Sequence, residues 1–274
     1  MKSSIIESIK SLPPLSKTIL DINKIYADEN SGIGDLVRAI EPDPMIVANL
    51  LKAANSALYS FGKEIRNVSQ AVSLFGMSIT RSIALGNSIR KLLNVDMQPY
   101  GITSERFAEI SALQATFMTK WYGKINKQKA DKLYLAAFLQ ETGKILIASD
   151  IIQEDETTSF QSEIELSNNI AEVEKAYVNV TSSEITSEVF SHWNFDDEFV
   201  QMIKYSDNPS AAPEEIKEYA TALHIVKTLF PVNKPFSEQA INFGIRQASN
   251  AGYDVKLIEG VIADMAEAMK LNNG

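Results

Sequence analysis

The chain has 274 residues, of which 45% are hydrophobic and 22% charged, and 26 Lys and Arg stand against 35 Asp and Glu for a net charge of −9. This length and composition exclude a disordered chain and fit one large domain or two lobes of about 100–150 residues each. The absence of cysteine excludes disulfides and thiolate chemistry, and the acidic balance argues against a surface built to neutralise nucleic-acid phosphates.

From the N-terminus, "MKSSIIESIKSLPPL" is too polar for a secretory signal, and no later run reaches the roughly 18 apolar residues of a membrane helix. No membrane association and a cytoplasmic location are therefore expected. Ser31 to Asp35, "SGIGD", lacks the spacing of a phosphate loop and reads as a turn in which Asp35 caps a helix. Asp43 followed by Pro44 is a helix start, an acid N-cap before a proline whose missing N–H costs nothing.

Between residues 63 and 91, Lys63, Arg66, Arg81, Arg90 and Lys91 face Glu64 alone; a solvated face is the plain reading of so small a cluster. The run "SQAVSLFGMSITRSIALGNSIRKLL" could imitate a helix-turn-helix. Val72, Phe75, Ile79, Ile83 and Leu85 explain it as packing, and bases are sparse where a recognition helix needs them. Residues 93–105 then lose helix formers, which places a junction between two helical lobes, 1–100 and 101–274.

Phe107, Ile110, Leu113, Phe117, Met118 and Trp121 recur at helical spacing. So do Ile216, Tyr219, Ala220, Leu223, Val226 and Phe230, and Leu257, Ile258, Val261, Ile262, Met265 and Met269. No alternating strand with a hairpin turn is found, so the fold class is all-α. Lys132 to Ile147 reads as one helix, apolar nearly all round to Leu139, with Gln140, Glu141 and Lys144 set into its later turns. Buried polar groups are expensive unless paired, so a local Gln–Glu–Lys network is expected, with Gly143 admitting a neighbouring backbone or ending the helix.

Asp150 to Glu165 carries six acids and no base and reads as starting with an exposed, mobile connection. Thr181 with Glu184 forms a capping box, Pro213 before Glu214 and Glu215 opens another helix, and Asp254 caps the last. The two histidines, His192 and His224, read as hydrogen-bonded structural residues, and no nucleophile elbow is present.

"LPPLSKTILDINKIY", "EPDPMIVANLLKAANSALYSF", "IRNVSQAVSLFGMSITRSIAL" and "LYLAAFLQETGKILI" follow one another in the order and spacing of HDOD domains, which the chain resembles over about residues 10–230. That resemblance implies a multi-helical bundle like that of the metal-dependent HD phosphohydrolases, with an N-terminal helical lobe and an association with signalling output. In the catalytic relatives a His-Asp pair would stand at Gln140 and Glu141; Gly143 and Lys144 match the residues that follow it. The other ligand positions would fall on Ile110, Ser182, the Ser206–Asp207 pair and Lys227. This set lacks the convergent donors a cation needs, so a vestigial cleft is expected, with no metal, no cofactor and no catalytic residue.

The expected function is a non-enzymatic, bacterial-type regulatory module that binds protein partners of a signalling pathway. Tyr59, Phe61, Lys63, Arg66 and Arg81 are the candidate partner surface, because aromatic and Arg side chains dominate interface energetics. Two alternatives stay open: a divergent phosphohydrolase using Glu141, Asp207 and one histidine, and a sensor whose cleft holds a nucleotide against Lys144 or Lys227. Binding of nucleic acid is not expected.

Overall fold

The computed structural model describes residues 1–271 apart from Ser60 and Lys63, and among them there are helices but no strands. The all-α expectation is met. In chain order the helices are α1 (Ser3–Lys10), α2 (Lys17–Ala27), α3 (Ile33–Ile40), α4 (Pro44–Ala54), α5 (Val68–Leu93), α6 (Ser104–Tyr122), α7 (Lys127–Leu139) and α8 (Gly143–Gln153). They continue with α9 (Thr157–Leu166), α10 (Ile170–Val178), α11 (Ser182–His192), α12 (Asp197–Lys204), α13 (Glu214–Leu229), α14 (Glu238–Asn250) and α15 (Val255–Leu271). None of the described helices is long and apolar enough to cross a membrane.

Local chemistry sets many of these starts. Asp43 Oδ1 accepts the N–H groups of Met45 and Ile46 at 3.0 and 3.1 Å, and Thr181 and Glu184 close the capping box of α11. Asp254 Oδ1 accepts from Lys256 at 2.9 Å. At α3 the cap differs from the expectation: Gly32 is the N-cap, and Asp35, inside the first turn, reaches back to the Gly32 N–H at 2.9 Å.

The chain divides into two compact units. One spans Pro13–Leu92 and the end of the chain from Ile262. Its buried side chains include Ile19, Ile22, Leu36, Ile40, Ile46 and Leu50, and Val72 and Phe75 of α5 are buried as the packing reading requires. Gly76 breaks α5 with φ 73° and ψ 178°, a conformation an L side chain strains to adopt.

The other unit spans Met1–Leu12 and Leu93–Val261. These units differ from lobes of 1–100 and 101–274: the chain passes from one to the other between Leu92 and Leu93, and the first twelve residues join the later part of the chain. The reason is apolar: Ile5 and Ile9 are buried in one cluster with Phe107, Ile145, Ile151 and Val189. In this unit α6 packs along α7, α8 against α11, and α13 against α14.

Two expectations are corrected in this unit. Lys132 to Ile147 is not one helix, because α7 ends at Leu139 and α8 begins at Gly143 after a turn over Gln140–Thr142. The acidic stretch from Asp150 is mostly helical and not a loose connection: α8 runs to Gln153, α9 buries Phe160 and Ile164, and Asp150 is 3% exposed, while the short α8–α9 turn at Glu154 and Asp155 is exposed as expected. Lys2 Nζ and Ser4 Oγ donate to the two oxygens of Asp150 at 2.9 and 2.5 Å, which compensates its burial.

Gly143 allows the α8–α11 approach. A Cβ there would stand 2.2 Å from the Ser182 carbonyl oxygen and 2.9 Å from the Thr186 nitrogen, both backbone atoms that cannot swing away. Gly143→Ala should lower the unfolding free energy by about 1–3 kcal/mol or more in urea titrations. Gly260→Ala in α15, where nothing lies within 4 Å, should raise it by up to about 1 kcal/mol.

Candidate functional site

The turn between α7 and α8 carries Gln140 and Glu141 into the interior, and the first turn of α8 carries Lys144 beside them. Lys144 is 3% exposed, Glu141 2% and Glu174, from α10, 0%. Lys144 Nζ donates to Glu174 Oε1 at 2.5 Å and Ser182 Oγ at 3.0 Å, and lies 3.3 Å from Glu141 Oε2. The ammonium is thus enclosed by two carboxylates and a hydroxyl.

Glu174 is in turn saturated. Its Oε1 also accepts the Tyr100 hydroxyl at 3.0 Å, and its Oε2 accepts the Ser182 N–H at 2.7 Å, where α11 begins. A second pair adjoins: Lys227 Nζ, from α13, donates to Asp207 Oδ1 at 2.6 Å and stands 3.9 Å from Glu141 Oε2. Formally three carboxylates meet two ammoniums, leaving one negative charge, which donors from Tyr100, Ser182 and Gln114 offset.

These neighbours set the proton affinities. Burial alone would push Lys144 down, but Glu141, Glu174 and Asp207 together raise it above its ordinary value. Burial would raise Asp207, yet Lys227 and then Lys144 hold it well below the usual carboxylate range. Burial, with Glu174 next to it, raises Tyr100 and keeps it a donor. His224 is lowered by burial; its Nδ1 meets the Ser206 carbonyl oxygen at 2.8 Å, so Nδ1 carries the proton and Nε2 is the acceptor.

Six of the seven expected cleft residues do converge in one unit. Gln140, Glu141, Lys144, Ser182, Asp207 and Lys227 are linked through the bonds above and through Gln114, which donates to Glu141 Oε1 at 3.1 Å and accepts from Gln140 Nε2 at 2.9 Å. Ile110 does not join them and is buried in the apolar cluster; Gln114, one turn further along α6, is the polar residue that α6 contributes. Lys144 pairs with Glu141 as its spacing suggests, while Gln140 turns to Gln114 instead. Sequence reading misses Glu174, Tyr100 and Gln114 entirely.

The cluster is the floor of an open cavity of about 910 Å³, lined also by the first residues of α10, by His224 and Thr228 of α13, and by α14. His192 lies elsewhere, its Nε2 3.3 Å from the Leu12 carbonyl oxygen. The expected partner residues belong to the other unit. Tyr59 and Phe61 are half-buried and form a ring cluster with Phe75, with centroids 4.8 and 5.3 Å from it. Arg66 is exposed and paired with Glu64 at 2.6 Å, and Arg81 donates to Asn23 at 2.7 Å with its guanidinium over the Tyr26 ring. Lys63 lies outside the described residues.

A divalent metal in this cleft would need several oxygen or nitrogen donors free of competing cations. Among the described residues no group of three or more His, Asp or Glu is placed to hold one, and Glu141 and Asp207 already face Lys144 and Lys227. The residues present do not fit a metal.

A family model described as HDOD domain matches residues 12–209. An uncharacterized protein of Treponema pallidum (strain Nichols) is 23% identical over 223 residues, 79% of this chain, and the chain spans 42% of that relative's length. The crystal structure of a virulence factor from Campylobacter jejuni subsp. jejuni is 26% identical, with a TM-score of 0.58, 97% of this chain and 95% of that chain being covered. A crystal structure from Marinobacter aquaeolei VT8, provisionally named for signal transduction, shares the fold at 21% identity and a TM-score of 0.71. It covers 99% of this chain and 61% of its own.

Lys144→Met should destabilise the chain by about 3–5 kcal/mol, because it leaves Glu141 and Glu174 buried without their cation; adding Glu174→Gln should recover part of that loss in denaturant titrations. The pH dependence follows from the shifts. The lowered Asp207 contributes stability that is present above its unfolded value of 3.8 and is lost as pH falls below it. The raised Lys144 contributes stability present below 10.5 and lost as pH rises through its higher folded value. In unfolding measured from pH 2 to 7, Asp207→Asn should therefore flatten the acid limb.

Proposed function

The chain belongs to the HDOD domain family, and from that premise we propose that it is a non-enzymatic regulatory module that acts in signal transduction by binding protein partners. One observation carries the non-enzymatic part. Where HD-type hydrolysis would need a cluster of metal ligands, Lys144 and Lys227 supply positive charge themselves and occupy Glu141, Glu174 and Asp207. An ammonium so placed repels a divalent cation, and without one the cleft has no activated water and no Lewis acid for phosphoester cleavage.

The signalling part is supported by family membership and by the provisional name of the Marinobacter protein. A protein partner is the reading that fits a family domain with no fitted metal site, and the aromatic pair Tyr59 and Phe61, together with the exposed Arg66, is the surface we assign to it. The competing reading, a phosphohydrolase using Glu141, Asp207 and His224, requires both carboxylates to leave their lysines.

Two assays separate these readings. With Mn²⁺ or Mg²⁺ present, the purified chain should cleave p-nitrophenyl phosphate and bis(p-nitrophenyl) phosphate no faster than buffer; metal-dependent turnover that Glu141→Gln abolishes would sink the proposal. In affinity capture from the cells that make it, a partner recovered reproducibly with the intact chain should be depleted about tenfold by Phe61→Ala combined with Arg66→Ala, the loss that removing one hot-spot residue produces. Equal recovery would remove this surface from the account.

A further inference from the structure

α1 is seated in the unit that begins again at Leu93, whereas Pro13, just past its end, belongs to the other unit. Residues 12–16, between α1 and α2, are not helical and include Pro13 and Pro14, which favour an extended, semi-rigid chain. The helix also precedes the residues matched by the family model, which start at 12.

The seat of α1 is chemically specific. Ile5 and Ile9 are its two buried side chains, and they enter the cluster of Phe107, Ile145, Ile151 and Val189 between α1, α8 and α11. At the helix start, Lys2 Nζ and Ser4 Oγ donate to the two oxygens of Asp150, itself 3% exposed. Asp150, against the cost of partial burial and with Glu154 and Glu156 behind it, raises Lys2 above its ordinary value. Three of the six acids in the run from Asp150 to Glu165 therefore act on one cation. The seat fits a short helix with a cation ahead of it and two apolar residues four positions apart, and this chain's own first segment supplies that pattern.

Nothing in the fit depends on which copy of the chain supplies the helix. An eight-residue helix does not persist alone in water, so α1 holds its form only while seated, and leaving the seat is a local opening. Such an opening strips Asp150 of its donors, and the same segment of a second chain restores each contact that was lost. Short, stiff hinge loops invite this exchange between identical chains. We propose that α1 exchanges between two copies of this chain, each α8–α11 seat being closed by Lys2, Ser4, Ile5 and Ile9 of the other copy. The exchange is reciprocal, so it closes at a dimer. It also joins self-association to the helices that carry Lys144 and Ser182, since α8 and α11 form both the seat and part of the ion-pair cluster.

Sedimentation velocity on two charge-reversed chains tests the exchange, and no other protein is present, so the outcome is independent of the partner-binding reading. Lys2→Glu sets a carboxylate against Asp150, and Asp150→Lys sets an ammonium against Lys2; each chain alone should sediment as a monomer with α1 unseated. Mixed in equal amounts, they offer each other one reversed pair and one native pair, and should form a dimer of twice the mass. The wild-type chain gives a second reading that needs no variant to fold: its dimer fraction should rise with concentration. In Lys2→Glu alone the dimerisation constant should fall by about tenfold or more, as for a broken buried pair. A mixture that stays monomeric, a wild-type chain that stays monomeric up to millimolar concentration, or a dimer that Lys2→Glu leaves intact would overturn the proposal.

Discussion

The interior of the larger unit is organised around one ammonium. Lys144 is withdrawn from water almost completely, and an ion in that position costs several kcal/mol unless charge and hydrogen bonds surround it. Meeting that demand draws together parts of the chain that have no local reason to meet: the α7–α8 turn with Glu141, α10 with Glu174, the start of α11 with Ser182, and Tyr100 through Glu174. Gly143 makes the geometry attainable, since only a residue without a side chain lets α11 lie so close to α8.

The chemistry of the cleft follows from the same constraint. A carboxylate can neutralise an ammonium or ligate a metal, and in this chain Glu141, Glu174 and Asp207 do the first. The cluster is therefore closed toward cations while the space above it stays open.

Periodicity and punctuation reveal the elements well, because they depend on neighbours in sequence. The stripe of α6, the Asp43 cap and the Thr181–Glu184 box are all set within four or fewer residues, and each is found where the sequence places it. The Glu141–Lys144 pair is legible for the same reason. Long-range partners are not: Glu174 lies 30 residues from Lys144, and Gln114 lies 27 from Glu141. Asp150 shows why a run of acids misleads, since its counter-ion Lys2 is 148 residues away and charge alone does not say which side of a helix faces inward. Ile110 fails as a cleft residue by a single turn, because helical register rather than family position decides which α6 side chain points into the network.

The most direct test of the central claim is calorimetric titration of the EDTA-treated chain with Mn²⁺ near neutral pH. If the two lysines stand in for the metal, no saturable binding at one or two ions per chain should be seen. Stoichiometric Mn²⁺ binding that Glu141→Gln or Asp207→Asn removes would contradict it, because those carboxylates would then be ligands and not the partners of Lys144 and Lys227.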